Sequence, residues 1–222
     1  SSLNFTAAQE FNFNTTELQI LENGNILKGI NGGEINTKNN EIVIRADNFE
    51  YNKLTTLLKA KGNVRLIDKI ADIIIETNEI VYLKNKEEIY TKGKSKTLKG
   101  KHLQIDAIQY FKYNKITSLL EAKGNVVLNK KNKNITIYTN EILYSMNEEK
   151  ISSLGKTNIN VKDKYNIEGN NLILLKDKMV LSSKKNAIIT DSESNTYKLE
   201  QFQYSIDKEI LKGKNITAIT ND

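Results

Sequence analysis

The sequence predicts an all-β fold, and three observations carry that prediction. Apolar and polar side chains alternate with period two in many short segments. A stretch of sixteen residues returns almost unchanged 62 residues later. Gly and Asn residues suited to turns recur at matching intervals. Together they describe an elongated antiparallel structure of about seven repeats of about 31 residues, forming a single domain over residues 1–222.

Alternation is clearest where Ile42, Ile44 and Ala46 interleave with Val43, Arg45 and Asp47. Ile135 and Ile137 interleave with Thr136 and Tyr138 in the same way, and Val64 with Leu66, Ile73 with Ile75, and Val126 with Leu128 behave alike. Successive side chains on a strand point to opposite faces, so each strand carries one apolar face. Leu54, Leu57 and Leu58 have helical spacing, and a step near 31 also suits helical repeats. Scarce Ala and the period-two pattern weigh against helices. Gly-Asn at 24–25, 62–63 and 124–125 suits either a tight turn or a bulge in one long bent strand. Asn31-Gly32-Gly33 and Lys38-Asn39-Asn40 suit hairpins. The apolar faces of stacked units must meet across a narrow interior, which is the sandwich or jelly-roll solution.

The repeat sets the organisation. Residues 49–64 read FEYNKLTTLLKAKGNV and residues 111–126 read FKYNKITSLLEAKGNV, identical at twelve of sixteen positions. Half of the 62-residue offset is the true step. Phe49, Tyr51 and Gly62 form one set, followed by Ile80, Tyr82 and Gly93, then Phe111, Tyr113 and Gly124, then Ile142, Tyr144 and Gly155. Weaker units open at Ile173, where Asn186 replaces the Gly, and at Phe202, whose Gly213 comes two residues early. Phe11, Phe13 and Gly24 give a front unit after a step of 38, so the openings fall near 11, 49, 80, 111, 142, 173 and 202.

Composition narrows the function. Without Cys there is no disulfide, thiolate nucleophile or thiolate metal ligand. No apolar run reaches the roughly 20 residues of a membrane-spanning helix, and Ser1-Ser2-Leu3-Asn4 does not read as a signal peptide. The formal net charge of +6 favours anionic partners. Basic and acidic residues are interspersed along the chain rather than blocked together, which argues against nucleic acid. His102 stands alone with Asp106 and makes a poor metal site, so neither metal nor cofactor is expected. Catalysis has no G-x-S-x-G elbow and no phosphate-binding glycine loop. Glu87-Glu88 and Glu148-Glu149 read as solvated turns. Lys59, Lys61 and Lys123 flank the Gly-Asn pairs and read as a solvated strand face or as phosphate contacts.

The run from Phe49-Glu50-Tyr51 to Ala60-Lys61-Gly62-Asn63-Val64, repeated from Phe111-Lys112-Tyr113 to Ala122-Lys123-Gly124-Asn125-Val126, resembles the OstA-type repeat of lipopolysaccharide-transport proteins. Arg45-Ala46-Asp47 looks like that family's opening. The likeness is strong over about residues 40–160 and thin at both ends. It implies a twisted, V-shaped β-jelly roll, non-catalytic and periplasmic, whose apolar groove carries lipopolysaccharide acyl chains. The implied groove lining is Phe49, Tyr51, Leu58, Val64, Ile73, Ile75, Ile80 and Tyr82 in the first half of the chain. Phe111, Tyr113, Leu120, Val126, Ile135, Ile137, Ile142 and Tyr144 continue it. The implied partners are lipopolysaccharide, a like-folded bridge protein paired end to end, and an outer-membrane lipoprotein. The N-terminal periplasmic domain of the family's outer-membrane member fits first and its soluble bridge member next. Physics alone leaves open a structural or adhesive β-solenoid, or a polysaccharide-cleaving β-helix, in which the same aromatic residues are plain core.

Overall fold

A computed structural model describes residues 10–221. The opening residues 1–4 and the extreme ends of the expected 1–222 domain lie outside the described residues. Twenty-one strands run in chain order. They are β1 (Phe11–Leu21), β2 (Ile26–Thr37), β3 (Ile42–Ala46), β4 (Asn48–Asn52), β5 (Leu57–Asp68), β6 (Ile73–Leu83) and β7 (Glu88–Thr91). Next come β8 (Ser95–Lys99), β9 (Leu103–Ala107), β10 (Tyr110–Asn114), β11 (Leu119–Lys130), β12 (Ile135–Ser145), β13 (Lys150–Val161) and β14 (Tyr165–Asn170). The last are β15 (Ile173–Leu175), β16 (Val180–Ser183), β17 (Ala187–Asp191), β18 (Thr196–Leu199), β19 (Gln201–Ser205), β20 (Ile210–Lys214) and β21 (Thr217–Ile219).

All belong to one antiparallel sheet, which the chain crosses in fourteen passes. β1, β2, β5, β6, β11, β12 and β13 are each one long bent pass. The other seven passes are strand pairs broken at the bend: β3–β4, β7–β8, β9–β10, β14–β15, β16–β17, β18–β19 and β20–β21. Every pass between the first and the last pairs with the passes before and after it, as β5 does with β3 and β4 on one side and β6 on the other. Fourteen passes at about 4.8 Å per strand make a column about 62 Å long.

The bend folds the sheet along its midline into two facing leaves. The front leaf holds β4, β7, β10, β15, β16, β19 and β20 with one half of each long strand. The back leaf holds β3, β8, β9, β14, β17, β18 and β21 with the other halves. The leaves face each other as in a jelly roll, and the chain threads them as a plain meander. Gly-Asn at 62–63 and 124–125 sits at the bend as a bulge, with register breaks at Lys61/Val64 and Lys123/Val126. Gly24-Asn25 instead lies in the turn between β1 and β2. At Gly124 φ is +92°, and a Cβ there would lie 2.9 Å from the Gln109 backbone nitrogen, so only glycine fits. On β6 the buried set changes parity across Asn78, from Ile73 and Ile75 to Ile80 and Tyr82. Without that change one half of the strand would turn its apolar face to solvent.

Register corrects the front unit. Leu18 lies opposite Gly29, which lies opposite Phe49, and Ile20 opposite Leu27, which lies opposite Tyr51. The first unit therefore opens at Leu18 rather than Phe11. Phe13 is aligned through Ile35 with Ile44 of the back leaf. At the other end the last pass bends at Asn215 (φ +51°), thirteen residues after Phe202, and Gly213 sits within β20 opposite Phe202.

Candidate binding slot between the leaves

Two ladders of inward side chains line the space between the leaves, one residue per pass. On the front leaf the ladder runs Ile20, Leu27, Tyr51, Leu58, Tyr82, Ile89, Tyr113. It continues Leu120, Tyr144, Ile151, Leu174, Leu181, Tyr204, Leu211. On the back leaf it runs Phe13, Ile35, Ile44, Leu66, Ile75, Thr97, Ile105. Leu128, Ile137, Ile159, Ile167, Ile189, Tyr197 and Ala218 complete it. A row nearer the bend interdigitates by size: Phe49, Ala60, Ile80 and Thr91, then Phe111, Ala122, Ile142 and Ser153.

All sixteen groove residues expected from the sequence lie in this interior and are buried in one continuous core. The slot is filled by its own side chains over the middle of the column. Each fully buried Leu, Ile, Val or Phe contributes about 1.5–3 kcal/mol.

The leaves are sheared past one another. Phe11 of the first pass packs edge-on against Tyr51 and Tyr82 of the third and fifth, with ring centres 5.0 and 5.7 Å apart. Tyr165 of the eleventh pass meets Tyr204 of the thirteenth at 5.4 Å. The hairpin turns of the two leaves form two rims, and this shear brings them together along a mouth opposite the bend. There Tyr113 donates to Asp68 Oδ2 at 2.9 Å and Tyr82 to Glu87 at 2.8 Å. Tyr144 donates to Glu149 at 3.3 Å, and Lys176 donates to the same carboxylate at 2.7 Å. Lys84 and Lys115 also pair with Glu87. Lys162 reaches the Ile206 carbonyl at 3.3 Å, and Lys133 reaches Asp207 at 3.0 Å. Tyr82, Tyr113 and Tyr144 therefore keep the ring in the slot and the hydroxyl at its polar edge.

Burial, followed by the neighbouring Asp68 and Glu87 charges, pushes the Tyr113 and Tyr82 hydroxyls above the usual tyrosine range. Burial likewise raises Tyr144, and it pushes Tyr204 up to about 12. Lys130, buried at the mouth, is held below the ordinary lysine value by desolvation and then by Lys176 and Lys133.

Shear also leaves the front-leaf rows uncovered at the first end. Front-leaf Leu18 and Ile20 stay 43% and 64% exposed although they continue the inner row. At the far end a cavity of about 240 Å³ opens between Tyr165, Ile167, Ile189 and Tyr197 of the back leaf and Tyr204 and Leu211 of the front leaf.

Several readings shift. Glu87 and Glu149 are tyrosine and lysine partners rather than solvated turn acids, whereas Glu148 is exposed. A Tyr followed five residues later by Glu, at 82/87 and 144/149, was the available sequence sign, although the same spacing at 204/209 makes no such contact. Asp68 has no such sign. Lys59, Lys61 and Lys123 lie on the outer face near the bend, away from the mouth, and Lys123 faces Glu141 at 4.0 Å. His102 is exposed in a rim turn, and among the described residues no group of three His, Cys, Asp or Glu could hold a metal. No helix among the described residues is long and apolar enough to cross a membrane.

No family model matches the chain, and no curated protein matches it. Among solved structures it is similar to LptH of Pseudomonas aeruginosa, the LptA homologous periplasmic component of the lipopolysaccharide transport device. Identity is 10%, coverage is 82% of this chain and 95% of that chain, and the TM-score is 0.22. A superposition that loose carries no functional argument; the all-β antiparallel class rests on the strand pairing itself.

Proposed function

We propose that the chain is a non-catalytic periplasmic domain of the OstA-type lipopolysaccharide-transport kind. Acyl chains lie between its leaves while sugars stay outside. The observation that carries this reading is the pair of apolar ladders, interrupted only by Thr97, that run the length of the column, exposed at Ile20 at one end and lining a cavity at the other. Each CH₂ buried between the leaves would contribute about 0.8 kcal/mol. Because the interior is filled, cargo enters by parting the mouth contacts of Tyr82, Tyr113 and Tyr144.

The two ends differ: Leu18 and Ile20 are exposed at one, and the cavity beside Tyr197 and Leu211 opens at the other. A like-folded partner stacked end to end covers both, and the edge strands β1 and β20–β21 supply backbone pairing. An LptA-like bridge protein has that form. The chain then acts as the N-terminal domain of an LptD-like outer-membrane protein, held to that membrane by a C-terminal barrel and accompanied by an LptE-like lipoprotein, or as an LptA-like bridge itself. Photocrosslinkers at Tyr82, Phe111 and Tyr144 are expected to trap lipopolysaccharide in cells. Failure at all three sites overturns the reading in favour of a structural or adhesive β-solenoid, which the filled interior favours.

A further inference from the structure

The mouth carries a second pattern that the slot does not use. Three rim turns present an aliphatic side chain at the tip directly after a lysine: Lys53-Leu54, Lys69-Ile70 and Lys115-Ile116. Leu54, Ile70 and Ile116 are 75%, 76% and 72% exposed, the most exposed of the large hydrophobic side chains among the described residues. Each tip is held by a side chain at the start of its turn. Asn52 Oδ1 accepts the Leu54 and Thr55 N–H groups at 2.9 and 3.1 Å, and Asp68 Oδ1 accepts those of Ile70 and Ala71 at 3.1 and 3.0 Å. Asn114 Oδ1 accepts the Thr117 N–H at 2.9 Å. The tips are therefore projected by fixed turns. Ile70 and Ile116, from opposite rims, border one shallow depression of about 510 Å³ together with Lys99, Lys115 and the carboxylate residues Glu41, Asp68, Glu87 and Glu149.

Charge collects on the same stretch. The eight rim turns at 38–41, 53–56, 69–72, 84–87, 100–102, 115–118, 131–134 and 146–149 hold nine lysines against Glu41, Asp72, Glu87, Glu148 and Glu149. Their net charge is +4. Residues that look interspersed along the sequence are thus gathered along this part of the mouth into a stripe of net positive charge.

We propose that this central mouth edge is a peripheral contact for the surface of an anionic phospholipid bilayer. Aliphatic tips enter the acyl boundary while the neighbouring lysines meet the headgroup phosphates. Lysines near an anionic leaflet and shallowly inserted aliphatic side chains reinforce one another. A nucleic acid would use the lysines but has no use for exposed Leu and Ile. The stripe offers no exposed aromatic ring for stacking, which single strands require.

The test is co-sedimentation of the chain with phosphatidylcholine vesicles made with and without phosphatidylglycerol. Binding is expected only with phosphatidylglycerol and is expected to weaken with salt. L54S/I70S/I116S and, separately, K53E/K69E/K115E should each lower the partition coefficient at least about tenfold. I188S/I216S, which removes exposed aliphatics elsewhere, should leave it unchanged, and circular dichroism should show all variants folded. Absence of wild-type binding to phosphatidylglycerol vesicles overturns the proposal, as does equal loss in I188S/I216S. So does binding that falls with the lysine reversals but not with the serine tips, accompanied by retention of a single-stranded oligonucleotide, which would make the stripe a nucleic-acid site.

Discussion

Tyr113 donates its hydroxyl proton to Asp68 at 2.9 Å across the mouth, joining passes whose residues are 45 apart in sequence. Asp68 is 1% exposed, and its other oxygen caps the turn that presents Ile70. Tyr113→Phe leaves a buried carboxylate oxygen without its donor and should cost about 1–3 kcal/mol. Asp68→Ala removes the turn acceptor as well and should cost more. Urea midpoints rank the two, and a Tyr113→Phe midpoint equal to wild type would show that the contact does not hold the rims together.

Alkaline pH should open the same seam. Tyr82, Tyr113 and Tyr144 are held above the ordinary tyrosine value of 10.0, first by burial. Their stabilising effect is complete below that value, where folded and unfolded chains both keep the proton. Above it the unfolded chain ionises first, so stability falls as pH rises towards the folded-state values. Unfolding midpoints measured from neutral pH to beyond 10 should decline at the alkaline end. In Tyr82→Phe/Tyr113→Phe that decline should be shallower; an unchanged slope would assign it to other groups.

Thr97 interrupts the back-leaf ladder between Ile75 and Ile105, fully buried and with no partner for its hydroxyl. Thr97→Val keeps the shape and removes the unpaired group. Stability should rise by about 1 kcal/mol with an unchanged denaturant slope. A loss of stability would mean that the hydroxyl is satisfied in solution.

The bends differ in what they tolerate. An alanine Cβ at Gly124 would crowd the Gln109 backbone, whereas at Gly93 (φ +77°) nothing lies within 4 Å. Gly93→Ala bears only the left-handed backbone cost, about 1 kcal/mol. Gly124→Ala should cost distinctly more. Equal thermal midpoints for the two variants would contradict the close packing at that bend.

Much of the column was legible because the repeat is local. Phe49, Tyr51 and Gly62 fix where a unit starts and bends, and the step carries this to Tyr144 and Gly155. The front unit misled because Phe11 and Phe13 are aromatic and occupy back-leaf positions. The odd step of 38 exceeds 31 by the seven residues that separate Ile42 from Phe49 in the next unit. Cross-mouth pairs were hidden, since Asp68 finds Tyr113 only through shear between the leaves, which no period encodes. The stripe was hidden for a related reason: Lys53, Lys69 and Lys115 are scattered in sequence and gathered by turn direction.

That shear also sets the grain of the molecule. In the plane of the sheet each pass depends on its two neighbours, as in any stack built by addition. Across the mouth the fourth pass leans on the seventh, so a pass is finished only when a later one arrives. Adding or removing 31 residues should change the reach by about 9.6 Å without altering the cross-section. A fragment shorter than about two units would have walls but no closure. The column is therefore extendable like a ruler, yet indivisible below the span of its own overlap.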